Sequence, residues 1–134
     1  MMRTVLVVDD NAAIRAELRE SLAGRGFHVC AEAANGREAI ERARESLPKL
    51  IILDLSMPVM NGLEAAPQLR AIVPESGIIL FTSFADTVSP SDLKTLGIDA
   101  VLSKNDVIDA VIATAEALCG SSSGGAARIA AAPG

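Results

Sequence analysis

Residues 50–54 read Leu50-Ile51-Ile52-Leu53-Asp54, a run of four apolar β-forming residues that ends in a carboxylate. Such a run is typical of a strand that is buried on both faces. A buried carboxylate without a partner is costly, so an acid at the end of this strand indicates a functional group. The same arrangement occurs earlier with two acids, in Val5-Leu6-Val7-Val8-Asp9-Asp10. If the two strands are parallel neighbours, the three acids meet at one sheet edge, which predicts a divalent cation and phosphate chemistry.

Short apolar runs alternate with helical patterns along the whole chain, which favours a parallel α/β sheet with helices on both faces. The predicted strands cover residues 4–8, 27–31, 50–53, 78–81 and 100–102. Five strands joined by crossover helices predict a flavodoxin-like (βα)5 three-layer sandwich, with a parallel five-stranded sheet in the order 2-1-3-4-5. In that order strands one and three are neighbours, and ligands bind at their carboxyl ends. The acids are therefore expected at the ligand-binding edge.

Capping and breaking residues bound the predicted helices. Helix one covers 12–23 behind Asn11, and helices two and three start at Asn35 and Asn61, each followed three residues later by a glutamate. Pro67 lies inside helix three, where we expect a kink or a late start. Helix four is short, about 90–96, and helix five covers about 106–118. The predicted buried stripe of helix five consists of Val107, Ile108, Val111, Ile112, Ala115 and Leu118.

Composition narrows the class of protein. The 134 residues are enough for one domain with a full core, which we place at 1–119. Residues 120–134 are rich in Gly, Ser and Ala and predict a disordered tail or linker stub. With three Phe, no Trp or Tyr and a net charge of −5, direct nucleic-acid binding is not expected. We find no membrane-spanning segment or signal-peptide pattern, so a cytoplasmic location is expected.

Two further polar side chains follow predicted strands. Thr82 follows strand four and offers a hydroxyl to a phosphoryl oxygen, and Lys104 follows strand five and can pair with Asp54 or with a phosphate on it. A carboxylate nucleophile, a Mg²⁺ site, a hydroxyl and a lysine are the groups that phosphoryl transfer to an aspartate needs. A flavin-phosphate site is disfavoured, because Asp9 and Asp10 would repel the phosphate.

With these groups at its strand ends, the sequence resembles the receiver domain of bacterial two-component response regulators, over about residues 3–118. The resemblance is closest to receivers of the LuxR-type helix-turn-helix branch, and we expect the chain to be such a receiver without its effector domain. The motifs that carry the resemblance are Val7-Val8-Asp9-Asp10, Leu53-Asp54-Leu55-Ser56-Met57-Pro58-Val59-Met60-Asn61-Gly62, Phe81-Thr82-Ser83 and Leu102-Ser103-Lys104.

The resemblance implies that Asp54 accepts a phosphoryl group from the phosphohistidine of a sensor histidine kinase or a histidine phosphotransfer protein. It also implies that Asp9, Asp10, Asp54 and the backbone carbonyl of Ser56 hold Mg²⁺. Such a domain is not an enzyme in the usual sense, because it catalyses only its own aspartyl phosphorylation and dephosphorylation.

The resemblance further assigns Thr82 as the switch hydroxyl and Lys104 as the cation that neutralises the phosphate. Ser56 and Phe84 lie where the family controls access of the hydrolysing water. The output surface would be the face of helix four, strand five and helix five. That face would bind a downstream protein, a DNA-binding effector domain that this chain lacks, or a second copy of the chain in a homodimer.

The chain departs from the family pattern at two positions. Val101 stands where the family usually has Tyr or Phe, and Asn105 stands where most members have a cis-proline. Val101 therefore leaves a second hypothesis open, in which the domain is a docking module that regulates a partner whatever its phosphorylation state. An aspartate-nucleophile phosphatase is set aside, because Ser56 occupies the place of the second acid that such an enzyme needs.

Overall fold

The computed structural model describes residues 3–119, in which strands and helices alternate. The elements are β1 (Arg3–Val8), α1 (Ala12–Ala23), β2 (Phe27–Ala33), α2 (Gly36–Ser46), β3 (Leu50–Leu53), α3 (Gly62–Ile72), β4 (Gly77–Thr82), α4 (Pro90–Leu96), β5 (Ala100–Ser103) and α5 (Ile108–Cys119). A single 3₁₀ turn, Ala85–Thr87, precedes α4. The predicted tail at 120–134 lies outside the described residues. Within 3–119 no helix has the length and apolar character needed to cross a membrane.

The sheet has the predicted order, β2-β1-β3-β4-β5, and every neighbouring pair is parallel. The flavodoxin-like prediction is therefore confirmed. In the central pair, Val8 of β1 lies opposite Leu53 of β3. The next residue of β3, Asp54, donates its backbone N–H to the carbonyl of Val8 over 2.9 Å. This register places the first residues beyond both strands at the same edge of the sheet.

The core lies on both faces of the sheet because successive strand residues point to opposite sides. Leu6 and Ile51 pack on one face in a cluster with residues of α2 and α3. Val7 and Ile52 pack on the other face in a cluster with residues of α1 and α5. Because helices cover both faces of the sheet, the strands are continuous apolar runs in the sequence. The sheet and the helices on its two sides form the expected three layers.

The helix starts agree with the predicted caps. The Asn61 side chain accepts from the backbone N–H of Glu64, whose carboxylate accepts from the N–H of Asn61, so α3 has a complete capping box. Asn35 caps α2 in the same way, but the carboxylate of Glu38 accepts from Ala34 instead. Because α3 begins directly after Asn61 and runs through Pro67 to Ile72, the late start is wrong, whereas the alternative of a kink at Pro67 stays a prediction.

The start of helix five requires a correction. The structure begins α5 at Ile108, and Val107, predicted to be buried, is 69% exposed. The chain turns before the helix, since the N–H of Asp106 donates to the carbonyl of Ser103 over 3.0 Å. The helical periodicity of the sequence extends one residue beyond the helix itself. Val111, Ile112 and Ala115 are buried as predicted.

Close backbone approaches fix the segment that links β3 to α3. The N–H of Gly62 donates to the carbonyl of Leu55 over 2.8 Å, and the N–H of Gly36 in α2 donates to the carbonyl of Met60 over 2.8 Å. A Cβ atom at Gly62 would lie 2.2 Å from the backbone oxygen of Asp54. Glycine is therefore required where α3 starts against the end of β3.

Replacing Gly62 with alanine should destabilise the fold by roughly 2–3 kcal/mol, because the backbone of Asp54 must move to relieve the clash. Gly24→Ala is the matched control, since its new Cβ would have 3.7 Å to the nearest atom and the backbone φ is −66°. That variant should be unchanged or up to about 1 kcal/mol more stable. Urea unfolding followed by far-ultraviolet circular dichroism measures both, and equal stability of the two variants would contradict the assignment.

Candidate functional site

Three carboxylates meet at the carboxyl edge of β1 and β3, as the sequence predicts. One oxygen from each of Asp9, Asp10 and Asp54 lies within 4.8 Å of the others. Asp9 is 2% exposed and Asp54 is 5% exposed, whereas Asp10 is open to solvent. At such separations each pair of like charges costs on the order of 3–4 kcal/mol at an effective dielectric constant of about 20. The cluster is therefore held together by the fold against its own repulsion.

Lys104 supplies the positive charge that faces this cluster. Its Nζ atom lies 2.7 Å from Oδ2 of Asp9 and 3.2 Å from Oδ2 of Asp54. Lys104 follows β5, and its backbone N–H donates to the carbonyl of Thr82 over 3.0 Å, so the main chain fixes where the side chain starts. The pairing with Asp54 was predicted. The shorter contact with Asp9 was not.

The pKa values of Asp54 and Lys104 shift in the same direction. Burial raises the pKa of Asp54 above its usual 3.8, the charge of Asp9 raises it further, and Lys104 only partly opposes both effects. Burial tends to lower the pKa of Lys104, but its hydrogen bonds and charge interactions with Asp9 and Asp54 outweigh this and raise it. One ammonium does not balance three carboxylates. Oxygen ligands with excess negative charge and one solvent-facing member fit a hard divalent cation.

The remaining predicted site residues occupy neighbouring positions. Thr82 ends β4, is fully buried and accepts a hydrogen bond on Oγ1 from the backbone N–H of Phe84 over 3.1 Å. In the described part of the chain this hydroxyl is bonded to Phe84 rather than to Asp54. Ser56 lies in the exposed segment after β3. Val101 is half-buried in β5 and packs against the core cluster of α2 and α3.

Sequence reasoning missed the groups that hold Asp9. The backbone N–H of Asn11 donates to Oδ1 of Asp9 over 2.9 Å, and Nη1 of Arg15 donates to the Asp9 carbonyl over 2.6 Å. Arg15 also pairs with Glu32 of β2. The available signal was the position of Arg15 in the second turn of α1, which follows the two aspartates directly.

Comparison with known proteins agrees with this geometry. Residues 5–116 match the family described as the response regulator receiver domain. The chain belongs to this family. The chemotaxis protein CheY of Thermotoga maritima is 40% identical over 80 residues, which cover 60% of this chain and 67% of that protein. The response regulator protein VraR of Staphylococcus aureus is 34% identical over 112 residues, which cover 80% of this chain and 54% of VraR. The chain therefore spans about half the length of VraR.

Solved receiver structures share the fold. A LuxR-family two-component response regulator from Aurantimonas superposes with a TM-score of 0.78 at 26% identity, covering 87% of this chain and 84% of that one. The REC domain of the response regulator AraT from Geobacillus stearothermophilus gives a TM-score of 0.75 at 31% identity, covering 87% and 94%. The likeness to response-regulator receivers, including the LuxR branch, is thus confirmed. Receivers are signalling modules of two-component systems.

Asp54→Asn should make the receiver more stable at pH 7 by about 1 kcal/mol. The gain is small because the substitution removes the attraction to Lys104 together with the burial of a charge and the repulsion by Asp9. A raised pKa means that the folded chain binds more protons than the unfolded chain between pH 3.8 and the folded pKa of Asp54. Asp54 therefore lowers the free energy of unfolding as the pH rises through that window. The gain from the substitution should shrink towards pH 3, where the carboxyl is protonated in both states.

Chemical unfolding of both proteins across this pH range checks the sign. Asp86→Asn is the matched control, because Asp86 is an exposed acid in the 3₁₀ turn and its loss should change stability by less than about 0.5 kcal/mol. A less stable Asp54→Asn protein at pH 7 would mean that attraction to Lys104 outweighs burial and repulsion by Asp9.

Proposed function

We propose that this receiver accepts a phosphoryl group on Asp54 from a sensor histidine kinase or a histidine phosphotransfer protein. The observation that supports this most strongly is the placement of Asp54 at the end of β3, beside Asp9 and Asp10 and in contact with Lys104. The two acids next to the acceptor can hold a divalent cation, and that cation together with the ammonium of Lys104 would provide the positive charge that a transferring phosphoryl group needs.

In the proposed reaction, an oxygen of Asp54 attacks the phosphorus of the phosphohistidine. A P–O bond forms, the P–N bond breaks, and the imidazole leaves with its electron pair. Asp9, Asp10, Asp54 and the backbone carbonyl of Ser56 would hold Mg²⁺, which supplies positive charge to the phosphoryl oxygens. Lys104 exchanges its contact with the free carboxylate for one with the phosphoryl group, and the Thr82 hydroxyl donates to a phosphoryl oxygen. The chain would also catalyse its own dephosphorylation by water, with Ser56 and Phe84 at the approach.

The proposed output surface is the face formed by α4, β5 and α5. It lies next to the switch residues, since the Lys104 N–H links the end of β5 to the Thr82 carbonyl at the end of β4. We propose that this face binds a downstream protein, an effector domain or a second copy of the chain. The signalling would take place in the cytoplasm, with residues 1–119 as the receiver and 120–134 as a tail or linker.

The first test is intact mass after incubation with acetyl phosphate and Mg²⁺. The wild-type chain should gain about 80 Da, the mass of one HPO₃ group, whereas Asp54→Asn and a sample without Mg²⁺ should gain nothing. Asp86→Asn should be labelled like the wild type, because it leaves the acidic cluster intact. An adduct of equal yield on Asp54→Asn would place the acceptor elsewhere.

If the wild type gains no mass, rapid hydrolysis must be separated from a lack of chemistry. Beryllofluoride with Mg²⁺ mimics the aspartyl phosphate and does not hydrolyse in this way. Chemical-shift changes around Asp54 on its addition would show a working acceptor site. Unchanged shifts would contradict the proposed function.

Val101 supports a second candidate function, a docking module whose binding to a partner does not depend on phosphorylation. The two functions differ at the α4, β5 and α5 face. For a switch, beryllofluoride should shift the amide resonances of Val101 and its neighbours on this face by clearly more than those of α2. If only the residues around Asp54 respond, the switch is contradicted and the docking module is favoured.

A further inference from the structure

We propose that Arg15 is a positioning residue for the divalent cation site. It fixes the peptide group that joins Asp9 to Asp10, and Glu32 holds Arg15 in place for this task. The inference rests on the proposed Mg²⁺ site and extends it to two side chains that lie outside the acidic cluster.

Asp9 is restrained at each of its polar groups. Its backbone N–H donates to the carbonyl of Ala33 in β2 over 3.0 Å. Its Oδ1 accepts from the N–H of Asn11 over 2.9 Å, and its Oδ2 contacts Nζ of Lys104 at 2.7 Å. Its carbonyl accepts from Nη1 of Arg15 over 2.6 Å. The last of these bonds holds the carbonyl of Asp9, which belongs to the peptide group that joins Asp9 to Asp10.

Asp10 has no comparable support of its own. It is exposed, and within residues 3–119 its carboxylate has neither a hydrogen bond nor an ion pair to another side chain. The peptide group is planar, so the carbonyl of Asp9 and the N–H of Asp10 turn together. The bond from Arg15 to that carbonyl therefore limits how Asp10 is presented to a cation.

Arg15 is held by a second contact that uses a different part of its guanidinium group. Its Nε lies 3.1 Å from Oε1 of Glu32, while Nη1 reaches Asp9. A planar guanidinium can bind both acceptors at once in fixed directions, whereas an ammonium presents a single point charge. Glu32 offsets part of the charge of Arg15, and Arg15 binds the carbonyl of Asp9 rather than its carboxylate, so the contribution of Arg15 to the site is mainly geometric.

Arg19 is the natural control residue for Arg15, because both lie on α1 and both pair with Glu32. It lies one helical turn further along α1 and pairs with the other oxygen of Glu32. Its side chain is 51% exposed, against 20% for Arg15, and in the described chain it makes no contact with Asp9. The two arginines share an acid, but only Arg15 connects that acid to the metal-binding segment.

The experiment is a Mg²⁺ titration of the full chain followed by ¹H–¹⁵N chemical shifts, since the chain has no Trp or Tyr to report on the site. Arg15→Met, which keeps the aliphatic stem, should raise the Mg²⁺ dissociation constant roughly tenfold, as is usual for groups that orient metal ligands. Arg19→Met should stay within about twofold of the wild type because it touches no ligand. Arg15→Lys should recover only part of the loss.

A phosphorylation assay separates positioning from general stability. The rate with acetyl phosphate should be low for Arg15→Met at limiting Mg²⁺ and should return to near the wild-type rate when Mg²⁺ is saturating. A rate that stays low at saturating Mg²⁺, or an unchanged Mg²⁺ dissociation constant, would overturn the inference. If Arg15→Met does not fold, the comparison of Arg15→Lys with Arg19→Lys decides: equal Mg²⁺ affinity of these two would overturn it.

The wild-type control distinguishes this inference from the function on which it rests. If the wild type binds Mg²⁺ and is phosphorylated while Arg15→Met behaves identically, only the role of Arg15 is wrong. If the wild type neither binds Mg²⁺ nor gains a phosphoryl group, the proposed function is wrong and the inference falls with it.

Discussion

Two buried carboxylates, those of Asp9 and Asp54, share one ammonium group from Lys104 at the carboxyl edge of the sheet. Lys104 directly follows β5, whereas the acids follow β1 and β3, so its side chain reaches past the end of β4, which lies between β3 and β5. Thr82 occupies that end. The charges at this edge therefore come from residues that follow three strands, β1, β3 and β5, with β4 lying between the last two.

Because Lys104 neutralises the carboxylates only in part, the site keeps a net negative charge. A fully balanced cluster would attract neither a cation nor a phosphate, and an unbalanced buried cluster would destabilise the fold. The raised pKa of Asp54 shows that burial and Asp9 together outweigh Lys104. Residual negative charge beside a solvent-facing acid favours a divalent cation, and in the proposed reaction the ammonium would then be available to a phosphoryl group. Ionised Asp54 therefore lowers the free energy of unfolding because the cluster keeps an excess of negative charge, which is the charge that a divalent cation would bind.

Patterns at strand ends made most of the fold and the acidic cluster predictable. Parallel strands end at a common edge, so Asp54, Asp9 and Lys104 could be placed together without knowledge of any contact. Glu32 could not be placed in this way. The register between β1 and β2 shifts after Val5, and β2 continues two residues beyond its apolar run as an edge strand, which brings Glu32 opposite Val7. A shift of register leaves no periodic signal, so the contact of Arg15 with Glu32 could not be predicted from the sequence.

Helix α4 is less tightly packed than the other α-helices of the described chain. None of the residues of α4 is fully buried, and the helix ends at Gly97, whose carbonyl accepts from Nη2 of Arg70 over 2.7 Å. Arg70 also pairs with Asp99 at 2.9 Å, so the carboxyl end of α4 is tied to α3 and to the approach to β5. The start of α4 lies beyond Phe84, whose N–H is bonded to Thr82. A displacement of the Thr82 hydroxyl would disturb this hydrogen bond to Phe84, which directly precedes the 3₁₀ turn before α4. β5 has Val101 in place of an aromatic side chain, but the hydrogen bond between Phe84 and Thr82 does not depend on that side chain.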